Sequence, residues 1–195
     1  MLIYENETVK PKLEYKAILL SIEELNNETI REICKTSECY GKRYSCPPFA
    51  PPIIHFKRDF KNIFAYLVSM KGKSMGNWYF LSDLVHNFGR RIEDCLGGVS
   101  FTAGECRLCE ICEADFSKPC PKPEEMRYSF TGVGLDAGKL SKILNYELWD
   151  EAHTSATAGC LTNKEITDHE MLFQIFCEIA RWNYRKQMLS SKAKK

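Results

Sequence analysis

Two long apolar runs frame the N-terminal half of the chain. Leu13 to Leu20 (LEYKAILL) and Ile63 to Met70 (IFAYLVSM) predict strands, the second one largely buried. Ser21, followed three residues later by Glu24, has the order of a capping box, so the first strand should pass directly into a helix over about residues 22–33. His55 to Asn62 reads as a short helix. Trp78, Leu81, Leu84, Val85, Phe88 and Ile92 recur at spacings of three and four, the stripe of an amphipathic helix ending near Cys95 to Gly98. A third short strand is predicted over Val99 to Ala103, and helices over Leu135 to Leu144 and Asp168 to Leu189. Within the last of these, MLFQIFCEI also suits a strand. This alternation predicts an α+β (or α/β) fold: a single domain over residues 1–195, with a small mixed sheet flanked by helices.

The periodic pattern fails in two places, and both are rich in cysteine. The first is residues 34–52, CKTSECYGKRYSCPPFAPP, where four prolines and a glycine between Gly41 and Pro52 forbid regular structure. The second is residues 104–124, and a basic segment at 190–195 reads as a flexible tail. Composition supports one packed core, since 44% of the 195 residues are hydrophobic. Lys plus Arg (27) nearly balances Asp plus Glu (26), which argues against nucleic acid or a membrane surface as the main partner. No apolar run approaches the roughly 20 residues needed to span a bilayer, and the first residues, MLIYENETVK, lack the order of a secretory signal. A cytoplasmic location is expected, and in a reducing compartment ten cysteines point to metal ligation or redox chemistry rather than disulfides.

The strongest chemical signal is Cys106, Cys109, Cys112 and Cys120, spaced C-x2-C-x2-C-x7-C with Pro121 after the last. Three thiolates on one seven-residue turn suit the adjacent irons of a cubane, whereas structural zinc more often takes ligand pairs from two separated knuckles. A [4Fe-4S] cluster is the favoured cofactor, with zinc as the alternative. The core and the Cys-Pro pair resemble the bacterial ferredoxin motif, although the ferredoxin gap before the last cysteine is shorter. Cys120 therefore either completes this set or exchanges with the first loop. That loop offers Cys34, Cys39 and Cys46 for a second metal or second cluster, with Cys120, Cys95, His55, a water or a substrate as its fourth ligand. An open position there would admit a small-molecule substrate, while a closed cluster would serve a redox partner protein.

Taken together, Arg31-x2-Cys34-x4-Cys39-Tyr40-Gly41-x4-Cys46-Pro47-Pro48, Ala103-Gly104-x-Cys106-x-Leu108-Cys109-x2-Cys112 and Pro119-Cys120-x-Lys122-Pro123-Glu124 resemble a family of predicted metal-binding proteins of methanogenic archaea and anaerobic bacteria. The resemblance runs from about Arg31 to Leu140 and includes Gly132-Val133-Gly134-Leu135-Asp136. It implies metal binding at Cys34, Cys39, Cys46, Cys106, Cys109, Cys112 and Cys120, and no particular reaction. Cys95, Cys160 and Cys177 fall outside these motifs and read as core thiols.

Other patterns are weaker. Gly132, Gly134 and Ala137 fit G-x-G-x-x-A, but without a preceding βαβ unit they read as a turn entering a helix. His55, His86, His153 and His169 are scattered, and only His55 lies near a cysteine loop. Arg181, Arg185, Lys186, Lys192, Lys194 and Lys195, with Trp182 and Tyr184 between them, form a basic C-terminus that reads as a solvated helix face. The expected function is iron–sulfur redox chemistry or electron transfer; the competing reading is a zinc-stabilised module that contacts nucleic acid or a protein through that basic end.

Overall fold

A computed structural model describes residues 2–6, 12–148 and 151–192. The elements in chain order are β1 (Leu2–Asn6), β2 (Leu13–Ser21), α1 (Ile22–Leu25), α2 (Glu28–Cys34), β3 (Asn62–Lys71), α3 (Met75–Leu96), β4 (Ser100–Phe101), α4 (Ala137–Ile143), β5 (His153–Thr162) and α5 (His169–Lys192), with a 3-10 turn at Ile53–His55. The strands form one sheet in the order β1-β2-β3-β5-β4. The α+β class holds. The sheet is not mixed: every strand pair is antiparallel, and among the described residues the parallel pairing is an isolated bridge, Thr102 to Ser129. No helix of the described residues is long and apolar enough to cross a membrane.

β3 is the central strand, and its residues face two cores in turn. Phe64, Tyr66 and Val68 point to one side, Ile63, Ala65 and Leu67 to the other, as the twofold repeat of a strand requires. The first side is covered by α3 and α5 through Leu81, Leu84, Val85, Phe88, Ile92, Leu172 and Phe176. The second is covered by α1, α4 and irregular segments, through Ile22, Leu25, Ala50, Ile53, Phe130, Val133 and Leu140. The chain between and after the cysteine motifs therefore forms one wall of the second core. Cys160 and Cys177 are buried in the first core, as their place outside the motifs suggests, and Cys95 is half-buried at the end of α3.

Several boundaries follow local chemistry. Ser21 caps α1 in a full capping box with Glu24. The expected helix over residues 22–33 is two helices, because Asn26 is extended and Asn27 begins a new cap, its side chain accepting from the Thr29 amide. The expected helix at 55–62 shrinks to the turn at Ile53–His55. α3 stops at Gly97, which adopts the left-handed conformation at φ 61°. MLFQIFCEI is helical within α5, and α5 runs to Lys192, into the segment expected as a flexible tail; residues 193–195 lie outside the described residues. β1 and β5 were not expected. β5 is rich in small and polar residues (HTSATAGCLT), and only its pairing with β3 and β4 makes it a strand.

Candidate metal centre

The second cysteine loop leaves the core at Gly104, which has φ 61° and stands so close to Trp78 that an added Cβ would meet the ring at 2.7 Å. Cys106, Cys109, Cys112 and Cys120 then line one small cavity together with Tyr44, Ser45 and Lys122. Cys120 thus stands with the other three thiols of its own loop, not with Cys34, Cys39 and Cys46. All four are half-buried, open enough for a group to reach and sheltered enough to hold it. Burial pushes the Cys106 thiol up, while the Leu108 and Arg127 backbone amides, hydrogen-bonded to its sulfur, favour the thiolate.

The first loop holds the second in shape. Tyr44 is buried, and its hydroxyl lies 3.3, 3.3 and 2.9 Å from the carbonyl oxygens of Glu113, Asp115 and Lys118 while accepting from the Asp115 amide at 3.2 Å. Ser45 Oγ accepts from the Cys106 amide at 2.8 Å. Arg43 faces Glu105 at 3.6 Å, and Phe49 packs against Phe116 with ring centroids 4.4 Å apart. At the far end of the loop, Arg127 forms a paired ion contact with Glu93 of α3 and also donates to the Glu124 and Met126 carbonyls. Glu93 additionally accepts from the amide and hydroxyl of Ser100, both at 2.7 Å. Burial works to raise its carboxyl, but these bonds outweigh it and leave the group below the usual carboxylate range.

The first loop has its own thiol set. Arg31 of α2 donates to the carbonyls of Ala50 and Gly132, which ties the helix to the far end of the loop and to the turn after the second motif. Gly41, at φ 69°, turns the chain back so that its amide reaches the Pro47 carbonyl at 3.0 Å; the Pro47-Pro48 peptide is cis. Cys46 is buried and donates a hydrogen bond to Cys39, drawing Cys39 down to about 6 and Cys46 up. Ser37 Oγ lies 3.3 Å from Cys39 and also favours its thiolate. Cys34, at the end of α2, donates to the Thr131 carbonyl at 3.9 Å, and burial followed by the nearby Cys39 raises it. Three unlike thiols therefore meet here: one ready to ionise at neutral pH and two reluctant.

Glu105, one residue before Cys106, lies near enough to Cys39 and Cys46 to raise both by its charge. It is the acidic group that the second loop presents to the first thiol set. Cys120 lines the other cavity, Cys95 interacts with Cys160 instead, and His55 is exposed on its 3-10 turn. Sequence reasoning missed Tyr44, Ser45 and Glu105 as the parts joining the loops; the one available signal was an aromatic and a serine directly before Cys46. Gly132 and Gly134 form the turn that delivers Asp136 to cap α4, where it accepts from the Lys139 amide at 3.0 Å.

Chemically, four thiols around one cavity form an all-sulfur donor set suited to iron–sulfur clusters or zinc. Thiolates on a single zinc ion stand about 3.8 Å apart, given a Zn–S bond near 2.3 Å. Among the described residues no three His, Cys, Asp or Glu side chains converge that way, so one ion would need the thiols to rotate inward.

A family described as predicted metal-binding protein (DUF2284) matches residues 19–161 of the chain. No curated protein and no solved structure matches it.

Proposed function

Because the chain belongs to this family of predicted metal-binding proteins, we propose that its second loop carries a [4Fe-4S] cluster on Cys106, Cys109, Cys112 and Cys120, and that the protein serves redox chemistry or electron transfer. The observation that carries this reading is the single cavity lined by all four thiols, three of them from one seven-residue turn. Such a cluster supplies a centre that gains and loses one electron at a time, tuned by hydrogen bonds to its sulfurs and by exposure. The chain's own residues would set both. The Leu108 and Arg127 amides at Cys106 stabilise negative charge on that sulfur, and the half-exposed thiols leave the centre near the surface.

Ile111 and Phe116, 76% and 78% exposed, flank Cys112 and offer an apolar edge on which a redox partner protein would dock. The first thiol set serves as a second metal site. Cys39 is its entry point, because the thiolate is the ligating form and Cys39 ionises most readily. Its unequal thiols leave room for a substrate or a solvent ligand.

Anaerobic purification with iron, zinc and acid-labile sulfide analysis tests the reading. Brown protein with sulfide matching its iron is expected, with an electron paramagnetic resonance signal appearing on reduction. Colourless protein with stoichiometric zinc and no sulfide overturns it and leaves the zinc-stabilised module.

A further inference from the structure

β5 is an inner strand, yet the face it turns to the second core carries Ser155, Thr157 and Gly159 between His153 and Leu161. Large apolar residues usually fill the space over such a strand. These small ones leave it open, and a cavity of about 740 Å³, within the usual size of small-molecule sites, lies there. Trp78 and Met75 of α3, with Leu148, Ala103 and Ala137, form most of the remaining wall. Gly104 belongs to it as well; a Cβ there would stand 2.7 Å from the Trp78 ring, so its absence lets that ring take its place. The cavity borders the first thiol set. Thr131 lines it and accepts from the Cys34 thiol, while Gly104 precedes Glu105, whose charge reaches Cys39 and Cys46.

The ligand chemistry follows from which groups of the wall already have partners. The Ser74 hydroxyl accepts from the Asn77 amide at 3.1 Å, that of Thr154 donates to the Gly72 carbonyl at 2.7 Å, and that of Ser155 donates to the Leu148 carbonyl at 3.1 Å. With these bonds made, the hydroxyls call for no polar occupant, and the wall offers apolar surface instead. The flat Trp78 ring at that wall suits an aryl group. Lys73 differs from the hydroxyls. It is exposed at the rim, it has no ion-pair partner among the described residues, and no Asp or Glu is among the described residues that line the cavity. A lone ammonium beside an apolar chamber favours a ligand with one anionic end.

We propose that this cavity binds an aryl carboxylate, with its ring against Trp78 and Leu148 and its carboxylate at Lys73. Binding itself needs no metal; service of that ligand as the substrate of the first thiol set rests on the second metal site proposed above.

Titration calorimetry of the intact, metal-loaded protein with phenylpropionate, its uncharged amide and ring-less propionate tests this at low salt. Phenylpropionate should bind, propionate at least about tenfold more weakly for want of the buried ring, and the amide about three- to fivefold more weakly for want of the charge. Lys73→Gln should erase the preference for the acid over the amide. Ala137→Leu, which fills part of the chamber, should weaken both, with iron and sulfide content unchanged in either variant. The proposal is overturned if phenylpropionate does not bind, binds no tighter than propionate, or keeps its preference over the amide in Lys73→Gln. A folded Ala137→Leu protein that binds as tightly as the wild type also overturns it; Lys73→Gln, a surface change, decides alone if Ala137→Leu does not fold. Metal analysis of the same samples separates this outcome from the fate of the metal assignments.

Discussion

The two cysteine loops solve the problem of holding thiols in opposite ways. The second is an outlying turn with few core contacts, and its four half-buried thiols face one cavity because outside groups pin its backbone: Tyr44 and Ser45 on one side, Arg127 on the other. The first is woven into the core, with Cys46 buried, Arg31 clamping its end and the thiols hydrogen-bonded to one another. An externally pinned turn presents its four thiols to one cavity, the arrangement a closed cluster would use. A buried, internally bonded trio presents unequal ones, which suits an open and reactive site. Moreover the first loop is the scaffold of the second, so the two cannot vary independently.

Separating them at the thiols should have the largest effect. Cys109→Ser is expected to lower iron and sulfide per chain by at least about tenfold, while Cys39→Ser leaves the sulfide in place; similar losses in both variants would show a single shared centre. Next comes the pin at the end of the second loop. Glu93→Gln leaves Arg127 without its charge partner in a site where both side chains are about 15% exposed, and should cost about 3–5 kcal/mol in urea unfolding.

Acidification should follow. His86 stands at about 4 in the folded chain against about 6.5 when unfolded, so between these values the unfolded chain binds the extra proton. Stability from this group is present above about pH 6.5 and is lost as pH falls toward 4, by up to about 3 kcal/mol. His86→Gln should flatten that slope in unfolding curves measured across the window. The smallest effect tests the coupling between the loops. Tyr44→Phe keeps the ring against Phe49 but removes the hydroxyl that gathers Glu113, Asp115 and Lys118, at a cost of about 1–3 kcal/mol. Faster loss of iron to a chelator, with the first thiol set unaffected, is the expected reading.

Much of this was legible in the chain. The strand at Ile63 to Met70, the long helix after it and the two breaks in periodicity announce themselves, because burial on a regular element leaves a repeat and ligation leaves clustered cysteines. β5 was not legible, since an inner strand of Ala, Ser, Thr and Gly carries little hydrophobic signal, and the break at Asn26 and Asn27 depended on pairing with Gly134 and Leu135.

Local sequence also placed Cys106, Cys109 and Cys112 on one turn, because spacings of three residues leave the chain no freedom to separate them. It left open where Cys120 stands. That was decided by tertiary structure, through contacts between residues about 60 to 75 positions apart: Tyr44 to Asp115 and Lys118, and Ser45 to Cys106. The proximity of Glu105 to Cys39 and the lack of a carboxylate beside Lys73, among the described residues lining its cavity, have the same origin. Short-range spacing fixes which groups are neighbours on a turn, but only the packing of distant segments fixes which groups share a cavity, what they are bonded to and what they lack.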